Sequence, residues 1–185
     1  RCFRSGMRTL TLIYSAYGLF IFGLIFALLL PFFLIAIFVP RCEHWVGTLN
    51  WLWARGLFFL LFLNRSQIEY EEPLDEKQRY IFGANHFSYL DIPTMGLIRH
   101  NYKFIGKHSL RTVPVFGYMY SKLHVLVDRS NFKDRYASFQ RAREELQRGF
   151  SMAFFPEGDI YTKTPPNMVR FKDGCFRLAV DEQIP

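Results

Sequence analysis

The sequence lacks charge where most globular chains carry it, because residues 9–40 contain no Asp, Glu, Lys, Arg or His. Cysteine is also scarce: Cys2, Cys42 and Cys175 show no Cys-x-x-Cys spacing, so neither a disulfide framework nor a zinc site follows. The chain has 23 Lys and Arg against 16 Asp and Glu. That balance is too even to favour a nucleic-acid partner. Arg1, Arg4 and Arg8 flank the uncharged run instead, which favours an anionic lipid surface.

The uncharged run is strongly apolar and 32 residues long. As one helix it would measure about 48 Å, whereas a bilayer core needs about 20 residues. It is too long for a signal peptide core. We therefore expect a membrane helix that crosses with strong tilt, or two pieces that break at Pro31, with Gly18 and Gly23 permitting further bends.

A second apolar stretch occupies residues 45–63 and contains one certain charge, Arg55. Trp45, Trp51 and Trp53 stand where an aromatic belt would meet lipid headgroups. A second span, an interfacial or re-entrant helix, and a buried core helix all fit this pattern. Residues 1–64 are thus predicted to be membrane-anchoring helices. The positive flanks specify orientation only weakly, and we expect the remaining domain on the cytoplasmic side.

Residues 65–185 change character and predict an α/β domain. Short apolar runs in this region favour strands. Between them lies one clear amphipathic helix at residues 132–148, which Gly149 would end, and a further helix is predicted at residues 171–180. This alternation predicts a mainly parallel sheet flanked by helices. The predicted strands are residues 67–71, 80–84, 102–105, 125–127 and 152–155.

Two loops at predicted strand ends carry titratable groups, and ligands of such sheets bind at this edge. His86 is suited to act as a base near neutral pH, and a chain that folds Asp91 back onto it would fix its tautomer. Plainer interpretations remain: His86 as a core histidine, and Asp91 as a helix cap in a Ser88-x-x-Asp91 capping box. A metal site made of His86, Asp91 and Glu157 is a further alternative.

Basic residues also follow predicted strands. Lys107 and Arg129 are suited to bind phosphate, although surface solubility explains most such side chains. Glu157-Gly158 fits a tight loop in which backbone N–H groups approach a ligand closely.

These blocks resemble the glycerolipid acyltransferase family, whose best-known members are 1-acylglycerol-3-phosphate acyltransferases. The similarity rests on Asn85-His86-x-x-x-x-Asp91, Val127-Asp128-Arg129 and Phe155-Pro156-Glu157-Gly158 in this order behind an apolar anchor. It covers about residues 45–185.

The resemblance implies transfer of a fatty acyl group from acyl-CoA or acyl carrier protein to a lysophospholipid hydroxyl. His86 would be the general base and Asp91 would orient it. Arg129, Glu157, Gly158 and Lys107 would hold the acceptor's phosphate. It implies no covalent enzyme intermediate, no metal and no cofactor besides the thioester.

The sequence departs from the family pattern after Gly158, where Asp159-Ile160 replaces the usual Thr-Arg. Lys163 and Arg170 are the alternative cations. The chain also stops where a further family block would begin, so we expect a fragment. Lysophosphatidic acid is the leading acceptor; another lysolipid acceptor, or a lipid-binding module without catalysis, are the alternatives.

Overall fold

The computed structural model describes residues 2–62, 68–161 and 167–185, with side chains from residue 8 onward. Its first element is the continuous helix α1, Cys2–Phe38, which runs through Pro31 without a break. Of the two alternatives, a single helix is therefore confirmed and a division at Pro31 is wrong. A 3₁₀ turn at Pro40–Cys42 leads into α2, Trp45–Phe62. Within the described residues, Arg8–Phe38 alone is long and apolar enough to cross a membrane.

The two helices form an antiparallel hairpin. Ile21 and Ile25 of α1 pack on Leu57 of α2, and the Tyr14 and Tyr17 hydroxyls donate to the carbonyls of Leu61 and Leu60 at 3.0 and 2.9 Å. One face of α2 is buried against the rest of the chain, whereas Leu52, Phe59 and Phe62 are exposed. Trp45 is exposed at the start of α2.

A four-stranded parallel sheet follows, in the order β1-β4-β2-β3. This confirms the predicted fold class. The predicted strand at 67–71 is wrong for Ile68 to Glu71, which form no strand, and Gln67 lies outside the described residues. The strands are β1 Ile81–Gly83, β2 Tyr102–Lys107, β3 Val125–Val127 and β4 Ser151–Phe154.

Successive strand residues point to opposite faces of the sheet. Both faces carry apolar side chains, and helices cover both. Ala153 faces Met95 and Tyr120, whereas Met152 faces Leu146 and Leu178. One face therefore carries α3 and α4 with the hairpin behind them, and the other carries α5 and α6. The helices are α3 Asp91–Gly96, α4 Phe116–Leu123, α5 Phe132–Gln147 and α6 Gly174–Glu182, with a 3₁₀ turn at His108–Thr112.

The helix ends follow local chemistry. The Asn131 side chain caps α5 by accepting from the N–H groups of Lys133 and Asp134 at 2.9 and 3.3 Å. Gly149 adopts a φ of +94° just after the end of α5, as predicted. Helix α6 begins three residues later than expected, at Gly174.

The topology creates a crevice between two neighbouring strands. The chain leaves β1 toward α3 on one face and leaves β4 toward α6 on the other, although β1 and β4 are paired. In open parallel sheets, ligands bind at the carboxyl edge where neighbouring strands send their chains to opposite faces. The His86 loop and the Glu157 loop both begin at this point.

Candidate active site

The His86 imidazole and the Asp91 carboxylate meet at this edge. Nδ1 of His86 lies 3.1 Å from Oδ2 of Asp91. The same oxygen accepts the backbone N–H groups of Phe87 and Ser88 at 2.6 and 2.7 Å. Burial alone would raise the pKa of Asp91, but the N–H of Ser88, the His86 ring and the N–H of Phe87 outweigh it and hold that pKa below its usual range.

This pairing fixes the tautomer of His86. An ionised carboxylate can only accept hydrogen bonds, so Nδ1 carries the proton and Nε2 keeps its lone pair. The ring is 9% exposed and stacks on Phe155 with the ring centroids 4.2 Å apart. His86 therefore presents a basic nitrogen from a rigid, largely dry setting.

The capping interpretation of Asp91 holds in part: Oδ2 accepts the N–H of Ser88 at 2.7 Å, as in a Ser88-x-x-Asp91 capping box, but neither residue is the N-cap of α3. The N-cap of α3 is Leu90, which makes no side-chain cap, and Asp91 is the first helical residue. Its carboxylate bonds backward to residues 87 and 88 rather than forward into the helix. The Asp91 carboxylate thus closes the loop that carries the imidazole of His86.

Glu157 joins the two loops beneath His86. Its side chain is 1% exposed, and Oε1 accepts the backbone N–H of His86 at 2.9 Å. Its other oxygen, Oε2, has no hydrogen-bond partner within the described part of the chain. The Glu157 carboxylate therefore fixes the start of the His86 loop across the crevice between β1 and β4.

Gly158 has a φ of +88°, a conformation that favours glycine. Its N–H donates to the carbonyl of Phe155 at 2.9 Å, so it closes a turn rather than facing open space. A Cβ at this position would lie 2.4 Å from Nζ of Lys172. Glycine therefore makes room for that side chain.

Lys107 and Arg129 differ in their surroundings. Nζ of Lys107 lies 3.4 Å from Oδ2 of Asp159, and both side chains are exposed. The N–H of Ile160, then the charges of Lys107 and Arg129, lower the pKa of Asp159. Arg129 has no carboxylate within ion-pair distance among residues that the structure describes. Its loop is held by Ser130, whose N–H and hydroxyl donate to Asp128 at 3.0 and 2.6 Å.

The structure adds two cations that sequence reasoning missed. Arg135 of α5 and Lys172 before α6 border the same cavity as Arg129. Of the cations expected to compensate for Ile160, Arg170 is exposed and does not border that cavity, and Lys163 lies outside the described residues. The only early signal was the position of Arg135 in the first turn of the helix after Arg129.

The structure does not support the metal alternative. In the described ranges, no three His, Cys, Asp or Glu side chains are grouped so as to hold a metal ion. Glu157 turns Oε1 toward backbone, as described above. The site is instead a histidine–carboxylate pair, and Phe155, which stacks on His86, also borders the cavity of Arg129, Arg135 and Lys172.

Fold and site together define an α/β protein with a histidine–carboxylate pair at a sheet edge, joined to an apolar helical hairpin. The chain belongs to the Acyltransferase family, whose model matches residues 65–185. It is 36% identical over 124 residues to an uncharacterised acyltransferase of Schizosaccharomyces pombe, covering 65% of this chain and 44% of that protein. It is 33% identical over 100 residues to a 1-acyl-sn-glycerol-3-phosphate acyltransferase of Chlamydomonas reinhardtii, covering 54% of this chain and 30% of that protein.

A solved structure shares the fold. The crystal structure of the 1-acyl-sn-glycerophosphate acyltransferase PlsC from Thermotoga maritima superposes with a TM-score of 0.68 at 23% identity. The match covers 93% of this chain and 73% of that one, and so includes the hairpin. The chain spans less than half the length of the two curated relatives described above.

Proposed function

We propose that this chain transfers a fatty acyl group from a thioester, acyl-CoA or acyl carrier protein, to the free hydroxyl of lysophosphatidic acid, giving phosphatidic acid for phospholipid synthesis. The observation that carries the proposal is the 3.1 Å contact between His86 Nδ1 and Asp91 Oδ2 at the carboxyl edge of the sheet. The names of the relatives support the choice of acceptor.

The reaction follows from the tautomer. Nε2 of His86 takes the proton of the acceptor hydroxyl as its oxygen attacks the thioester carbonyl, and Asp91 stabilises the imidazolium that forms. The tetrahedral intermediate then expels the thiolate, which takes that proton from Nε2. The new C–O bond replaces the C–S bond, and His86 returns to its starting state. This sequence of steps uses no covalent enzyme intermediate and no cofactor besides the thioester.

The acceptor's phosphate requires cations near His86. Arg129 and Lys107, with the Gly158 loop, are the proposed phosphate-binding groups. Glu157 serves the same site through its bond to the His86 backbone, since a carboxylate in direct contact would repel phosphate. Arg129 is the stronger candidate because Lys107 already has Asp159 beside it.

A membrane location fits both substrates, which are insoluble in water. Phe22 and Phe26 of α1 pack on Phe116, near the carboxyl edge of the sheet, whereas Gly47 of α2 abuts His100 and Asn101 at the opposite edge. The hairpin thus extends from the sheet past the edge that holds His86. We propose that it enters the lipid there, with the catalytic domain on the cytoplasmic face.

The test is acyl transfer by membranes that contain the whole chain, given labelled oleoyl-CoA or oleoyl-acyl carrier protein and a panel of lysolipids. We expect product from lysophosphatidic acid that disappears in His86→Ala, because no other group takes the hydroxyl proton. His44→Ala is the matched control, since His44 is exposed at the tip of the hairpin and should keep activity.

The other outcomes separate the alternatives. If product forms only from a different lysolipid, the proposed acceptor is wrong, whereas the proposed acyl-transfer reaction is supported. Lipid binding without product from any acceptor would contradict the catalytic proposal and favour a binding module.

A further inference from the structure

A cavity of about 210 Å³ opens on the face of the sheet opposite to His86. It lies at the carboxyl ends of β2, β3 and β4, between the first turns of α5 and α6. Its apolar lining comes from strand and helix side chains, among them Ile105, Val127, Phe139 and Phe154. A cavity of this size is too small for a long acyl chain but large enough for one compact polar group.

The polar lining of the cavity is strongly cationic. Arg129, Arg135 and Lys172 border it, and among the residues that the structure describes no Asp or Glu does. None of the three has a carboxylate partner within 4 Å in the part of the chain that the structure describes. Other cations of the domain are paired: Arg143 with Asp181 and Glu182, for example, at 3.0 and 2.6 Å.

Three unpaired like charges around one small cavity repel one another, and an anion in their midst would relieve that repulsion. Arg129 is half-buried, and its loop is fixed by bonds within residues 128–131. Gly158 lies against the Lys172 side chain, because a Cβ there would come within 2.4 Å of its Nζ. Arg135 and Lys172 are exposed at the rim of the cavity, where they remain accessible to a ligand.

We propose that Arg129, Arg135 and Lys172 form a phosphate-binding cradle, in which Arg135 and Lys172 complete the site that Arg129 begins. The inference rests on the proposed function and deepens it. The cradle reaches the reaction centre through Phe155, which borders the cavity and stacks on the His86 ring. Guanidinium and ammonium groups recognise a phosphate dianion through charge-assisted hydrogen bonds.

Both substrates carry phosphate, so the source must be measured. Lysophosphatidic acid has a phosphomonoester close to its free hydroxyl, and both thioester donors carry phosphate on the pantetheine arm. The experiment compares Arg135→Gln, Lys172→Gln and the double variant with wild type, using the whole chain in detergent micelles. Each kinetic series varies one substrate while the other is saturating.

Phosphate-free substrates identify the source. We expect KM to rise roughly tenfold in each single variant for one phosphate-bearing substrate, and further in the double variant, as for loss of a charge-assisted hydrogen bond. If the cradle holds the acceptor, KM changes for lysophosphatidic acid but not for 1-oleoylglycerol. If it holds the donor, KM changes for oleoyl-CoA but not for oleoyl-N-acetylcysteamine.

Lys133→Gln and Arg177→Gln are matched controls, because both remove an exposed cation of α5 or α6 that does not border the cavity. Both should behave as wild type. Unchanged KM for both substrates in the double variant overturns the cradle. Equal losses with phosphate-bearing and phosphate-free substrates also overturn it, since that pattern reports structural damage.

A binding measurement tests the phosphate-binding cradle independently of the catalytic proposal. If wild type makes no product, the proposed function fails, and thermal unfolding of the same protein is followed with lysophosphatidic acid, oleoyl-CoA or 1-oleoylglycerol added. A rise in Tm with either phosphate-bearing lipid, absent with 1-oleoylglycerol and lost in the double variant, supports the cradle. No such rise overturns it.

Discussion

At the scale of single residues, the Asp91 carboxylate does two jobs with one oxygen. Oδ2 accepts from His86 and from the backbone of Phe87 and Ser88, so it both orients the imidazole and closes the loop that carries it. The second role also explains its short spacing from His86. An amide oxygen in the same place can accept the same hydrogen bonds, but it lacks the negative charge of the carboxylate.

Asp91→Asn should reduce kcat by roughly 10²- to 10⁴-fold with little change in KM. An amide oxygen in the place of Oδ2 can still accept all three hydrogen bonds, but it carries no net charge. The imidazolium that forms during the reaction therefore loses its counter-charge. Steady-state kinetics with lysophosphatidic acid and oleoyl-CoA measure both constants.

Asp75→Asn is the matched control, because Asp75 is exposed in a remote turn and only accepts the N–H of Lys77. An Asp91→Asn enzyme with the kcat of wild type would reduce Asp91 to a loop-closing residue. The Tm of the variant, followed in parallel, shows whether lost activity reflects lost structure.

At the scale of elements, a buried ion cluster joins the hairpin to the sheet. Nζ of Lys103, in β2, lies 2.6 Å from Glu43 in the hairpin connection and 2.8 Å from Glu145 of α5. Arg148 also bonds both carboxylates. The Lys103 side chain is almost fully buried, so this charge is stable only with both partners in place.

Lys103→Met should lower the free energy of unfolding by about 2 kcal/mol. The variant leaves two partly buried carboxylates with Arg148 alone, which makes the loss smaller than for a pair left without any partner. Denaturant unfolding in detergent measures it. Lys133→Met, at an exposed position of α5, is the control and should change stability little. Equal stability of Lys103→Met and wild type would contradict a stabilising role of the ion cluster.

The pH dependence gives a second readout of the same cluster. Burial raises the pKa of Glu43, but bonds to Lys103 and Arg148 outweigh it and place that pKa below the ordinary 4.5. The unfolded chain therefore binds the proton first, so this stabilisation is present above pH 4.5 and is lost as pH falls through the folded pKa. The acid-induced loss should be smaller in Lys103→Met.

At the scale of the whole molecule, the outer surface of α1 is exposed and apolar. Leu12, Leu19 and Leu28 are exposed by 70%, 75% and 66%. Contact of such a long apolar surface with water is unfavourable. The inner surface packs on α2 and α4. Such a helix needs an apolar surrounding on its outer side, and a bilayer provides one.

The double variant Leu12→Lys with Leu19→Lys should move most of the protein out of the membrane fraction. A lysine costs about 2.5 kcal/mol or more at the centre of a membrane helix. Liposome flotation measures the bound fraction. Leu12→Ile with Leu19→Ile is the matched control, and flotation of the lysine variant equal to wild type would contradict lipid burial of α1.

Elements set by local pattern were predictable. The apolar runs at residues 80–84 and 152–155 predicted β1 and β4 to within a residue or two, and α5 followed from its amphipathic spacing and from Gly149. Residues 68–71 show the limit, because alternation over so short a segment does not supply a partner strand. The sequence left open whether α1 is one helix or two pieces divided at Pro31, and the structure shows one continuous helix.

The sequence by itself determined the chemistry that meets at the sheet edge, since His86, Asp91 and Glu157 stand directly beyond apolar runs of strand length. Tertiary structure alone decided which oxygen faces Nδ1, that Glu157 bonds the His86 backbone, and that Arg135 and Lys172 join Arg129. For Glu157 with His86 and for Lys172 with Arg129 the physical reason is distance along the chain, because strand order brings together segments more than forty residues apart and no local pattern encodes that order. Asp91 and Arg135 lie close in sequence to His86 and Arg129, and there the backbone path of the loop decides the contact.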